Sequence, residues 1–475
     1  MNLFSKLLLI CLLSLVLISS AWSQTGTFRF VELAPLPGDI SSAALSINHK
    51  DQIVGYSANA DGRRQAVLWV LDATSSVLTP SLILSDLGGG YSEAYDINDL
   101  GEVVGQSTTA SGQAHACLWN RFGVVSDLHI LFKAKSATAL ALNNTQDIVG
   151  YQLNASLQPK ALVIRKGRLE KWPETSLRRA TAITDLSHVV GNGQTSATDT
   201  AYSATASRAL ALRTLPGYPF AEVQASNIFG EKAGSCSSDD KQQAVLWKGD
   251  RINPVSLGTL GGNYSKTLGM NQFQSIVGIA QVSNNTPVTS STSTNNTGMV
   301  ASNAAPVFNE LDRAFWWFSG RMFDLNKMTV PPANWTLQAA TAVNDFRQIV
   351  GYGNSSGQLR GFLLTPKRAY SLAITGLFSK TGAYYSNAEP VQIWFHASKK
   401  TKDIQVKIDG ILHSTYTEIP YPITLQNIPV GYHVIQILAK DPNSTLIASW
   451  NHNFTVYDAG TSTETPVLLK AYTTK

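Results

Sequence analysis

The side chains best suited to chemistry in this sequence are aromatic and amide groups. Tyr91, Tyr218, Tyr264 and Trp335 stand where outer strands connect to inner ones, with Asn263 and Asn334 beside two of them. Apolar faces next to amides are what a sugar or an extended peptide needs, stacking plus hydrogen bonds. The same residues could equally shield strand ends. Catalytic signatures are absent: there is no Gly-x-Ser-x-Gly elbow, no His pair at i, i+4 with Glu, no phosphate loop and no calcium loop. His49 and His188 lie in hairpins, His115 in a strand and His129 in a connection, none with a second ligand at metal spacing. Asp96, Asp185 and Asp345 fall near inner strands. They are the acids a glycosidase or polysaccharide lyase would have to pair about 5–9.5 Å apart. The expectation is a non-enzymatic binding or adhesion-type protein for glycan or protein, with no catalytic residue, metal or cofactor. A glycosidase or lyase, or a purely structural envelope protein, is the alternative.

The elements that position these residues repeat. A strand ends at Asn48, Asn98, Asn143, Thr184, Asn227, Asn271 or Asn344, turns, and returns to a glycine seven residues on: Gly55, Gly105, Gly150, Gly191, Gly234, Gly278 or Gly351. The copies are spaced 50, 45, 41, 43, 44 and 73 residues apart. Strand-bearing repeats of about 40–50 residues are propeller blades rather than helical solenoids. A third strand follows in most copies, as in Ala66–Trp69, Ala116–Trp119 and Ala244–Trp247, and a fourth leads into turns such as Leu257-Gly258-Thr259-Leu260-Gly261-Gly262. Gly88-Gly89-Gly90 reads as one of these turns between blades. The Asn reads as a turn former whose side chain bonds nearby backbone amides. Seven such residues lining a binding channel is the sharper alternative. The glycine reads as a place where neighbouring blades approach too closely for a Cβ. Trp69, Trp119 and Trp247 read as wedges between blades rather than carbohydrate platforms.

The last repeat lacks a fourth strand before Pro366, and a spare strand, Phe28–Glu32, lies near the other end, followed by Leu33-Ala34-Pro35-Leu36-Pro37-Gly38. Pairing the two removes open strand edges. The fold expected is all-β: a seven-bladed β-propeller over 24–366 closed by the N-terminal strand, then an immunoglobulin-like β-sandwich over 367–458 and a flexible tail over 459–475. The sandwich reading rests on short strands about ten residues apart, among them Val391–Phe395, Ile404–Ile408 and His433–Ile437, with Trp394 in its core.

The Ile-Asn, turn, Val-Val-Gly hairpin, followed by Ala-x-Leu-Trp and Leu-Gly-Thr-Leu-Gly-Gly, resembles the HAF-repeat family of probable extracellular bacterial proteins over about residues 28–365. The resemblance implies secretion and a repeat scaffold; it brings no established reaction. No copy reads His-Ala-Phe, the nearest being His115-Ala116-Cys117 and Arg313-Ala314-Phe315. Segments such as Val406–Gly410 and Asn453–Val456 look like an immunoglobulin-like module of bacterial surface and secreted proteins.

Residues 1–23 read as a signal peptide: Lys6, an apolar run from Leu7 to Ile18, then Ala21-Trp22-Ser23. No later stretch is apolar for 18 residues, so no transmembrane segment is expected in a mature chain secreted to the periplasm or the medium. A formal net charge of +5 on 475 residues, 15% of them charged, argues against nucleic acid as a partner. Cys117 and Cys236 occupy different repeats and read as small buried hydrophobes, not a disulfide. A monomer is expected. The sixth repeat carries a Ser, Thr and Asn-rich insertion over about 283–310, read as a tolerated loop rather than a lid.

Overall fold

The computed structural model describes residues 26–458 except positions 73, 133, 171–176, 195–198, 206–207, 284–308, 369–370, 379–382, 418–421, 444 and 446. The candidate signal segment, nearly all of the 283–310 insertion and the tail lie outside the described residues. The chain divides into two compact units, Met1–Ala369 and Tyr370–Lys475. Both are built of strands; the helical elements among the described residues include the short turns Leu128–Leu131 and Leu325–Met328.

Among the described residues the strands of the first unit form seven antiparallel groups of four, called sheets below, with parallel links that extend one of them to five strands and join two of them into eight. Their first strands are Ser41–Ile47, Gly88–Ile97, Ser136–Leu142, Leu177–Ile183, Phe220–Ser226, Gly261–Met270 and Trp335–Val343, and the sheets are numbered 1 to 7 in that order. Sheets 2 to 6 each use strands that follow one another in the chain, and sheet 1 skips only Val77–Leu78. Sheet 7 takes its fourth strand, Phe28–Leu33, from the other end, antiparallel to Gln358–Pro366 with Phe28 opposite Pro366 and Leu33 opposite Gly361. Val77–Leu78 adds in parallel to that strand, and a single parallel pair, Gln242 with Tyr264, bridges sheets 5 and 6.

Within each sheet the repeated glycine has a local cause. The first strand carries a bulge, where its pairing register skips a residue, at Leu45, Tyr95, Leu140, Thr181, Gln224, Leu268 and Thr341. The carbonyl two residues before the bulge leans onto the facing second strand. A Cβ on Gly55, Gly105 or Gly351 would lie 1.9, 1.9 or 2.0 Å from the carbonyl oxygen of Ala43, Glu93 or Ala339. The reading that these glycines separate neighbouring blades is therefore corrected: the close approach is within one sheet. Likewise Gly88-Gly89-Gly90 is not a turn but the start of a first strand.

The turn Asn works in two directions. In Asn48 the Oδ1 accepts from the Lys50 and Gln52 amides at 2.9 and 3.0 Å, the expected turn role. Its Nδ2 donates across to the Asn98 carbonyl of sheet 2 at 2.9 Å. Asn98 reaches Asn143, Asn143 reaches Thr184, Asn271 reaches Asn344, and Asn344 reaches Asn48, linking sheet 7 to sheet 1. Asn192 with Val223 joins sheets 4 and 5, and the Ile228 amide on Gln272 joins sheets 5 and 6.

Apolar wedges fill the space between these bonds. Trp69, Trp119 and Trp247 are fully buried, and their indole Nε1 groups donate to the Ala34, Ser85 and Arg213 carbonyls, each beside the outer strand of the preceding sheet. Cys117 and Cys236 are buried and free. Burial lifts the Cys236 thiol to about 11, which keeps it protonated.

The second unit pairs a three-stranded sheet, Ile374–Phe378, Val391–Ala397 and Ile423–Leu425, with a five-stranded one containing Asp403–Ile408, Gly431–Lys440 and Ile447–Tyr457. Phe378, Ile393, Phe395, Val406, Ile437 and Phe454 share one core. Strand alternation puts Ile393 and Phe395 into that core, so Trp394, although buried, belongs to the opposite face of its strand and is not the central residue expected.

Gly105→Ala is expected to destabilise the chain by about 1–3 kcal/mol, because the Glu93 carbonyl has no room to retreat. Urea unfolding followed by tryptophan fluorescence reads the change as a lower midpoint.

Candidate functional site

The residues expected to form a binding face divide by burial. Tyr91 and Tyr264 sit within first strands, not in connecting turns, and both are half-buried. Tyr218 is half-buried and packs on the apolar core shared by sheets 4 and 5. Trp335 is buried, its ring edge-on to Phe30 at 4.9 Å, so it anchors the N-terminal strand instead of facing a ligand. Asn263 and Asn334 are exposed, with the Asn334 amide donating to Ser356 Oγ at 2.6 Å.

Around Tyr91 and Tyr264 the first three strands of sheets 5, 6, 7, 1 and 2 gather a tyrosine and charge belt. Glu93 is its best-defined member: it is ion-paired with Arg64, accepts from the Tyr95 hydroxyl, and accepts from Gln106 Nε2 at 3.3 Å. Gln106 Oε1 in turn accepts from Thr138 in sheet 3 at 3.0 Å. The Arg64 guanidinium lies 4.4 Å over the Tyr56 ring. Burial, followed by the Glu93 charge, raises the Tyr91 and Tyr95 phenols. Tyr264 is raised by burial and then by Asp312 and Glu222; Tyr352 is raised by burial and Asp312. Lys266 pairs with Glu222 at 3.0 Å, and Gln281 donates to Asp312 at 3.2 Å. All these phenols therefore stay protonated, able to donate and to stack.

Tyr56, Tyr95, Tyr352, Arg64, Glu93 and Asp312 were not singled out from sequence, although a signal existed. Tyr56, Gln106, Tyr151 and Tyr352 each follow the recurring glycine, and Glu93, Arg179, Glu222 and Lys266 each stand five residues before the turn residue. Two fixed places in the repeat thus carry large polar side chains where a plain scaffold needs none.

The carboxylates considered for catalysis are held between sheets. Asp96 accepts from Ser46 Oγ at 2.7 Å and from the Leu142 amide at 3.1 Å, and burial lifts it to about 6. Asp185 accepts from the Asn144 amide at 2.8 Å. Asp345 accepts from the Gln272 amide at 2.9 Å and lies 3.2 Å from His49 Nε2. His49 Nδ1 is 2.9 Å from Asp99, so one imidazole bridges acids of sheets 7 and 2. Burial opposes its charge, but Asp99 and Asp345 together outweigh that and hold its pKa well above the ordinary value. Burial likewise opposes the Asp99 carboxylate, and His49 overcomes it and lowers the pKa. A separate pair, His115 on His129, stacks at 3.9 Å with His115 Nδ1 2.9 Å from Asp127. Among the described residues no group of three or more His, Cys, Asp or Glu is arranged to hold a metal.

No family model and no curated protein matches this chain. Among solved structures it is similar to PorZ, a surface component of the type IX secretion system of Porphyromonas gingivalis, at 12% identity over 87% of this chain and 70% of that one, TM-score 0.30. It is also similar to a mutant of AofleA from Arthrobotrys oligospora, at 10% identity over 64% and 88%, TM-score 0.33. A third is the WD40 domain of SCAP from fission yeast, at 12% identity over 90% of each, TM-score 0.27. Likenesses at these scores carry no argument about what the chain does. Among the described residues no helix is long and apolar enough to cross a membrane.

The His49 bridge has a pH signature. With its folded pKa raised, its contribution is complete below about pH 6.5 and is lost as pH rises through the raised value; that of Asp99 is present above about pH 3.9 and is lost as pH falls through its lowered value. The drop in Tm caused by His49→Gln should be largest between about pH 4 and 6.5 and shrink steadily above neutrality. A constant difference from pH 5 to 10 by scanning calorimetry would show that the imidazolium contributes nothing.

Proposed function

We propose that the first unit is a seven-bladed β-propeller closed by the N-terminal strand, that the second is an immunoglobulin-like sandwich, and that the protein is secreted and binds glycan or protein without catalysing a reaction. The closure reading is supported by the pairing of Phe28–Leu33 with Gln358–Pro366 and by the Asn344 bond to Asn48. In a propeller the beginnings of first strands lie toward one face, the face where ligands usually bind. The membership in the HAF-repeat family and the cleaved signal peptide are part of the same proposal.

The observation that carries the binding function is the tyrosine belt. Half-buried Tyr91, Tyr264 and Tyr352 keep neutral hydroxyls beside Glu93, Asp312 and Glu222, so apolar rings and strong acceptors stand together. That combination suits hydroxyl-rich or amide-rich ligands. Asp96, Asp185 and Asp345 are engaged in bonds between sheets, and this favours binding over the hydrolytic alternative.

Glycan arrays and pull-downs from the native medium test this reading with wild-type protein, Tyr264→Ala and Tyr352→Ala. Each substitution is expected to weaken a captured ligand about tenfold, the loss of roughly one stacking contact. Absence of any ligand, or affinity untouched by both changes, would remove the proposal.

A further inference from the structure

Three positions of the hairpin carry many of the bonds between neighbouring sheets, and none of the three crosses the seam between sheets 4 and 5, which Asn192 and Thr181 join through Val223 instead. First, Thr184 stands where other repeats have Asn, and it has no amide to reach toward sheet 5. Second, the residue after the turn Asn usually offers a side-chain acceptor to the preceding sheet: Asp99 takes the His49 amide, Asn144 the Asp99 amide, Gln272 the Ile228 amide and Asp345 the Gln272 amide. Sheet 5 has Ile228 there, which can accept nothing. Third, side chains three and four residues past the turn residue bond across other seams, as Gln146 does to Glu102, Ser187 to Asp147, Gln274 to Glu231 and Gln348 to Asp51. At the corresponding places the seam between sheets 4 and 5 has His188 and Gly230.

A cleft of about 410 Å³ opens at that seam, lined among others by Leu186, His188, Ile228, Phe229, Lys248 and Asp250. Its volume is within the usual range for small-ligand sites, about 300–1,000 Å³. Its floor is a fixed polar relay. Lys232, 2% exposed, donates to the Gly230 carbonyl at 2.7 Å and pairs with Asp250. Asp250 also bonds Ser203, whose Oγ is 2.9 Å from His188 Nε2. Burial first, then Lys232, lowers the His188 pKa, so the imidazole is neutral, and the charged residues lining the cleft are Lys232, Lys248 and Asp250. Phe229 is 39% exposed, an apolar ring on the rim, and Lys248 is exposed beside it.

We propose that the cleft between sheets 4 and 5 is a second binding site, separate from the tyrosine belt, for an acidic sugar. The sugar carboxylate would sit on Lys248 with Lys232 beneath, its hydroxyls would donate to the partly exposed Asp250 carboxylate, and its apolar face would cover Phe229 and Ile228. A cation, an acceptor and an exposed aromatic ring around one cleft match the three chemical faces of a uronic acid. A neutral sugar would leave the Lys248 charge uncompensated, and a purely apolar ligand would take water from Lys248 and the exposed part of Asp250 without replacing it.

Titration calorimetry of the full chain with galacturonate, trigalacturonate and galactose tests the site. Saturable binding of galacturonate or trigalacturonate, with galactose at least about tenfold weaker, is expected; binding of trigalacturonate alone identifies a residue within a polymer rather than a free acid. Lys248→Glu and Phe229→Ala change exposed side chains, so they should leave the Tm in place and weaken the acid about tenfold each. No saturable heat with either acid, equal affinity for galactose, or affinity unchanged in both variants overturns the proposal. Tyr264→Ala serves as the separating control: it should leave galacturonate binding intact, so the two sites stand or fall independently.

Discussion

The architecture of the first unit depends on one side chain satisfying two sets of partners. The carboxamide of the turn Asn caps its own hairpin through Oδ1, and its Nδ2 crosses to the equivalent carbonyl of the next sheet, as Asn48 does to Asn98 and Asn344 does to Asn48. An aspartate could accept from the turn amides but has no donor to send across. Serine and threonine are too short to span both distances. Because these groups are buried, each unmade bond would cost about 1–3 kcal/mol, which favours Asn at this place in all hairpins but that of Thr184.

The bulge and the facing glycine are the second half of the same design. The skipped residue bends the first strand and turns its carbonyl inward, and glycine is the residue that lets the second strand pass. The bend in turn sets where the large side chains nearby point. Tyr95 is one such bulge residue and bonds Glu93 two positions before it, while Arg64 and Gln106 approach Glu93 from other strands. The scaffold's main irregularity therefore also helps to build the polar belt around Glu93. Burial costs for Glu93 are offset by three donors, which is the condition under which a carboxylate can lie inside a sheet protein at all.

Repetition makes exceptions informative. Thr184 and Ile228 are the exceptions at their places, and Gly230, like Gly101 in sheet 2, has no side chain to send across; only the seam between sheets 4 and 5 combines all three. Their coincidence at one seam leaves polar and apolar surface uncovered, with Lys232 and Asp250 supporting each other beneath it. By contrast, the seam between sheets 7 and 1, where the chain passes from Leu33 of sheet 7 to Ser41 of sheet 1, is among the most heavily bonded: Asn344, Thr341, Gln348 and Arg360 all cross it.

The sequence by itself determined the strand content, the seven hairpins, the burial of the repeated tryptophans and the partner of the N-terminal strand, because alternation, turn chemistry and period are local properties of the chain. It did not determine what faces what. That Gly105 yields to a carbonyl in its own sheet, that Trp335 packs on Phe30, and that Tyr56, Arg64, Glu93 and Tyr352 share one belt are matters of register and of contacts between segments tens to hundreds of residues apart. One skipped residue reverses the side to which a side chain points, and that reversal is written in the pairing of strands, not in any single strand's own residues.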